Sequence, residues 1–106
     1  MKQIKIGKEN YKLDFTFNSF KFIEDLDLST DFSKTPFKFF STLSDLFYGA
    51  INCKRDKYIE REKSDELLEK YIETVDPVDL FNDLVELISE NHFFKKLNAK
   101  NENDPQ

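Results

Sequence analysis

The apolar residues of this chain change their period partway along it. From Ile4 to Phe17 they alternate with polar residues, whereas from Phe37 to Ile88 they recur three or four residues apart. Side chains on a strand repeat every two residues and those on a helix every 3.6, so the chain opens as β structure and continues as helices. The pattern predicts an α+β fold, mostly α, with an N-terminal β-hairpin packed on a bundle of about four helices.

The alternating stretch places Ile4 and Ile6 on one face, turns at Gly7-Lys8-Glu9-Asn10, and returns with Tyr11, Leu13, Phe15 and Phe17. Lys5, Lys12, Asp14 and Thr16 line the other face, and the whole reads as a hairpin over residues 3–17. An isolated hairpin is marginal in water, so its apolar face needs a platform. Asn18 and Ser19 read as the N-cap of a short helix from Phe20 to near Leu28, followed by a polar loop, 29–34, that carries Phe32. Thr35-Pro36 is a helix start, a capping hydroxyl ahead of a proline with preset φ, and predicts a helix from Pro36 to about Asn52. On it Phe37, Phe39, Phe40, Leu43, Leu46, Phe47, Tyr48, Ala50 and Ile51 sweep an apolar arc of roughly 200°, twice the roughly 100° a surface helix needs. This helix is either central to the fold or covered by a partner.

Residues 53–63 are mostly charged and read as an exposed extension of that helix or a flexible link. Ser64 reads as the cap of the next helix, whose apolar face is Leu67, Leu68, Tyr71, Ile72 and Val75. Asp76-Pro77 repeats the cap-and-proline signal and opens a last helix ending near Asn91-His92, with Leu80, Phe81, Leu84, Val85, Leu87 and Ile88 within about 160°. The tail, 98–106, has no apolar group larger than Ala99 and reads as disordered. One domain over residues 1–97 accounts for the rest.

Length and charge exclude several functions. A chain of 106 residues holds one core. No apolar run reaches the roughly 20 residues that span a bilayer, and the N-terminus lacks the apolar segment of a signal peptide. The lone Cys53 closes no internal disulfide, and two glycines form no phosphate loop. Net charge is −5: balanced over residues 1–53, +2 over 54–64 and −7 over 65–106. The basic cluster Lys54, Arg55 and Lys57 is too small and too mixed with acids for a nucleic-acid face, so no nucleic acid and no membrane is expected as a partner. No catalytic or cofactor residue is assigned, and no enzyme is expected.

Two features remain as candidate partner-binding residues. The first is a surplus of phenylalanine, 12 in all. Phe15, Phe17, Phe20, Phe22 and Phe81 are needed where hairpin and helices meet. Phe37, Phe40 and Phe47, with Phe39, exceed what one helix face buries, while Phe93 and Phe94 fall off the helical pattern. The second is Asp79, Asp83, Glu86 and Glu90, spaced to lie on one helical face. A carboxylate metal site would bring histidine partners to such a row, and none is in register, so no metal and no cofactor is expected. The row reads as a solvated face or one that meets a basic partner. Cys53 reads as a packed structural residue, and the apolar excess also allows self-association.

The order of parts resembles a known family. The hairpin Ile4-Lys5-Ile6-Gly7-Lys8-Glu9-Asn10-Tyr11-Lys12-Leu13-Asp14-Phe15 leads into Phe20-Lys21-Phe22-Ile23-Glu24-Asp25-Leu26, then an apolar helix ending Leu46-Phe47-Tyr48-Gly49-Ala50. The acidic helix Ser64-Asp65-Glu66-Leu67-Leu68-Glu69-Lys70-Tyr71-Ile72-Glu73 and a last amphipathic helix follow. Over residues 3–92 this is similar to the tail assembly chaperones of long-tailed phages of Gram-positive bacteria, apart from a longer charged insert at 53–63. The resemblance implies binding to the tape-measure protein, keeping it soluble, and recruitment of tail-tube protein. It further implies a place in the host bacterial cytoplasm, absence from the mature virion, and a second form made by ribosomal frameshift, for which the codons of Phe93-Phe94 and Lys95-Lys96 offer slippery runs. A different class, a small acidic phage or bacterial adaptor that inhibits a host factor, suits the composition too.

Overall fold

The computed structural model describes residues 1–23, 36–54 and 56–91. It is an α+β fold, mostly α, with an N-terminal hairpin beside helices. Strands β1 (Lys2–Ile6) and β2 (Glu9–Leu13) pair antiparallel, with Ile6 opposite Glu9 and Lys2 opposite Leu13. The turn is therefore the two residues Gly7-Lys8, and Glu9 and Asn10 belong to β2 rather than to a four-residue turn. Gly7 makes this possible: its φ is +64°, and no other described residue has a positive φ, which is the pattern of a turn with glycine at its first central position.

Helix α1 (Phe17–Phe20) begins earlier than Asn18 and Ser19 suggested, because Thr16 is its N-cap. The Ser19 N–H donates to Thr16 Oγ1 and the Thr16 N–H donates to Ser19 Oγ at 3.0 Å, a reciprocal box that satisfies two end groups. Phe17 is consequently exposed at the helix start, beside Lys21, rather than packed at the hairpin junction. The helix also ends at Phe20, with Lys21 as its C-cap residue, so residues 21–23 do not continue it as the sequence suggested. Residues 24–28, the loop with Phe32 and the Thr35 cap lie outside the described residues.

Helix α2 (Pro36–Ile51) is the centre of the fold and packs against α1, β2, α3 and α4. That explains its over-wide apolar arc, but only along part of its length. Leu43, Leu46, Phe47 and Ala50 are fully buried and Ile51 nearly so, while Phe37 and Phe40 near its start are exposed. Its C-terminal end is tied to the hairpin exit: Thr16 Oγ1 donates to the Cys53 carbonyl at 2.8 Å and Asn18 Nδ2 to the Asn52 carbonyl at 2.7 Å. Gly49 lets α1 approach, since a Cβ there would overlap the Ile23 side chain and lie 3.2 Å from the Ser19 carbonyl oxygen. Gly49→Ala should therefore lower stability by about 1–2 kcal/mol in urea denaturation, instead of the gain of about 1 kcal/mol it would give on an open helix.

Helix α3 (Arg61–Tyr71) starts at Arg61, with Glu60 as its N-cap residue, so Ser64 is not a cap. Ser64 is fully buried one turn inside the helix, beside Leu67 and Leu68. Nor is the stretch before it a loose link, because the buried Asn52 side chain clamps it. Asn52 Nδ2 donates to the Ile59 carbonyl at 3.0 Å, and the Ile59 N–H donates to Asn52 Oδ1 at 2.7 Å. Helix α4 (Pro77–Glu90) follows its sequence signals closely. Asp76 caps it by accepting from the Val78 N–H at 2.8 Å, and Leu80, Leu84, Leu87 and Ile88 are its buried face. Beyond it Asn91 Nδ2 donates to the Phe15 carbonyl, tying the end of α4 to the end of the hairpin. The core so closed joins Ile4, Ile6, Leu13 and Phe15 of the hairpin region to the helices. His92 and the tail, 98–106, lie outside the described residues.

Candidate interaction surface

Phe37 and Phe40 are three residues apart on α2, one turn along the same flank. Phe37 is 89% exposed and Phe40 53%, so about a turn of helix presents two aromatic rings outward. Phe39 lies on the opposite flank at 100° per residue and turns toward α4. Its ring centroid is 5.1 Å from that of Phe81, and it meets the Phe40 ring edge-on, also at 5.1 Å. The three rings run from the exposed end of α2 to the flank of α4. Phe47, expected with the exposed set, is 0% exposed and belongs to the core. The reason is position along the helix: Phe47 lies in the half of α2 that the other elements cover. Phe93 and Phe94 lie outside the described residues.

On α4, Asp79, Glu86 and Glu90 are exposed and Asp83 is half-buried. The row is not wholly solvated, since Lys2 Nζ of β1 reaches Asp83 Oδ2 at 3.1 Å. A pair this open contributes under about 1 kcal/mol. A hollow of about 300 Å³ lies beside it, with Lys2, Tyr71, Asp79 and Leu80 in its lining. Going around α4, Val78 and Val85 separate Phe81 from the carboxylates, and Val78 is exposed. Among the described residues no group of three or more His, Cys, Asp and Glu side chains is placed to hold a metal ion, and no helix is long and apolar enough to cross a membrane.

A second group of side chains fixes the 53–60 segment to α2. Tyr48 and Tyr58 hydroxyls are 3.1 Å apart, and Phe22 packs edge-on to the Tyr48 ring and stacks on Tyr58. Arg61 lies over the Tyr48 ring, 5.1 Å from its centroid, and donates to Asp45 Oδ1 at 2.7 Å and to Ser44 Oγ at 2.8 Å. Burial, chiefly, and the Tyr58 hydroxyl push the Tyr48 phenol up to about 12, so it stays neutral. Cys53 is buried, and burial pushes its thiol above the usual range with Lys12 only partly opposing. A thiol so placed is a packing group, not a nucleophile. Sequence reasoning passed over the hollow beside it, of about 550 Å³, walled by β2 and by the 53–59 segment. The one signal for it was the basic cluster at 54–57, set aside as too small for nucleic acid.

The fold and this surface define a small hairpin-and-helix domain with an aromatic end on its central helix and an acidic face on its last. The chain belongs to the family described as Domain of unknown function (DUF5055), which matches residues 1–105. No curated protein and no solved structure matches it.

Proposed function

We propose that this chain is a phage tail assembly chaperone that binds the tape-measure protein, keeps it soluble in the host bacterial cytoplasm, helps to recruit tail-tube subunits and does not enter the mature virion. The observation that carries this reading is the exposed pair Phe37 and Phe40. Two aromatic rings one turn apart on a rigid helix suit an apolar stripe on a partner helix, whose anchors recur at the same spacing. Large rings left in water are unfavourable for the free protein and become the anchors of an interface when covered. The acidic row on α4 supports the same reading in a lesser way. Like charges four residues apart each cost a few tenths of a kcal/mol, and basic residues of a partner relieve that. The order of hairpin and helices, similar to that of the tail assembly chaperones, is the remaining support.

Co-expression with the tape-measure protein encoded in the same genome tests the proposal. The soluble fraction of the tape-measure protein should rise several-fold with the unaltered chain, and the double variant Phe37→Ser/Phe40→Ser should lose most of that gain while remaining folded. No gain under matched expression overturns the reading. Recovery of a host factor in place of the tape-measure protein, in a pull-down from infected cells, would replace it with that of an inhibitory adaptor.

A further inference from the structure

The two-residue turn fixes which peptide groups of the hairpin face outward. With Ile6 and Glu9 flanking the turn, the pairs Ile6–Glu9, Ile4–Tyr11 and Lys2–Leu13 exchange the ladder hydrogen bonds, and Lys5–Asn10 and Gln3–Lys12 do not. The peptide groups of Asn10, Lys12 and Asp14 therefore point away from β1, along the outer edge of β2. The Asp14 N–H is met by the Ala50 carbonyl at 3.3 Å, where the end of α2 covers the edge. The Lys12 carbonyl has only the Cys53 thiol, a weak donor, at 3.8 Å. Among the described residues nothing meets the Lys12 N–H or either peptide group of Asn10.

This open length of edge is one wall of the 550 Å³ hollow, and the 53–59 segment is the other. Lys12, Lys54 and Lys57 line it, against one carboxylate, Glu9, in a protein whose overall charge is −5. A strand edge with unpaired peptide groups is a template for another strand, and pockets beside it read that strand's side chains. We propose that the groove between β2 and residues 53–59 docks a short extended acidic segment of a partner protein. The segment adds as a third strand: its backbone pairs with Asn10 and Lys12, and its carboxylates meet Lys12, Lys54 and Lys57. A second copy of this chain is a poor occupant, because it would bring its own Lys12, Lys54 and Lys57 against these. This surface is separate from the aromatic end of α2, so the inference does not depend on the tape-measure reading.

The test uses the full chain, isotope-labelled, and the capped peptide Ac-EVEVEVE-NH2. Amide exchange of Asn10 and Lys12 should be fast in the free protein and slow at least about tenfold when the peptide is added to saturation. The exposed double variant Lys54→Glu/Lys57→Glu should weaken peptide binding at least about tenfold, while Phe37→Ser/Phe40→Ser leaves it unchanged. Of two peptides of the same sequence N-methylated on alternate residues, one in each phase, the one that loses its edge-facing donors should not bind, and the other, methylated on the outward edge, should still bind. Equal binding of both N-methylated peptides overturns strand addition, and equal binding of Ac-KVKVKVK-NH2 overturns the charge argument. Slow exchange of Asn10 and Lys12 in the free chain also overturns the proposal. If it is independent of concentration another part of the same chain fills the groove, and if it depends on concentration a second copy does.

Discussion

Phe47→Ala lowers the free energy of unfolding by about 3–5 kcal/mol, as expected for a large ring removed from a closed core. Phe37→Ser on the same helix changes it by less than about 0.5 kcal/mol, since that ring is already in water. Both are read as shifts in urea midpoint at constant slope. The contrast carries weight because sequence alone put the two residues in one class, as members of an apolar arc too wide for one face. A loss of several kcal/mol at Phe37 would place its ring under cover, and the interaction surface on α2 would then be void. A small loss at Phe47 would mean that the centre of the fold is packed differently from the structure described above.

Asn52→Ala should cost about 2–4 kcal/mol, more than most single polar substitutions. The side chain is fully buried and makes three bonds: to the Tyr48 carbonyl at 3.0 Å, and to both the carbonyl and the N–H of Ile59. Each such bond contributes about 0.5–1.5 kcal/mol net, and a peptide group left buried without a partner costs a further 1–3 kcal/mol. The variant also carries a local signature, since Asn52 is the side chain that holds the Ile59 peptide groups against the end of α2. Amide exchange at Ile59 should accelerate far more than exchange in α4. Uniform acceleration would show instead that Asn52 acts only through global stability. Because residues 53–59 form one wall of the basic groove, the same variant should weaken binding of an acidic peptide there.

Much of the fold was legible because its signals are local. Asp76-Pro77 fixes the start of α4 through a cap and a preset φ, and alternation from Ile4 to Leu13 fixes a hairpin. The misreadings were also local in origin. Thr16 caps α1, although Asn18 and Ser19 are just as good cap residues, and the choice came from where the hairpin ends and what Thr16 Oγ1 meets, the Cys53 carbonyl 37 residues away. Ser64 has the residue type of a cap, with acids behind it, yet lies buried within α3 because Asn52 positions Ile59 and lets the helix begin at Arg61. The width of the α2 arc was readable; which part of it is covered was not. The edge groove was illegible for a similar reason: its two walls are about 40 residues apart in the chain, and the basic cluster at 54–57 carries no sign of the strand edge it faces.

By itself the sequence determined the kinds of elements, their order, the ends of α2 and α4 and the fact that the central helix carries more apolar surface than one face can bury. Those follow from periodicity, capping and φ restriction, which act within a few residues. Only the tertiary structure decided that Phe47 is core and that Phe37 and Phe40 are exposed. It alone ties residues 53–60 down, and it alone turns the open edge of β2 toward three lysines. Burial and hydrogen-bond partnership depend on which distant residues arrive at a point in space, and no spacing along the chain records that.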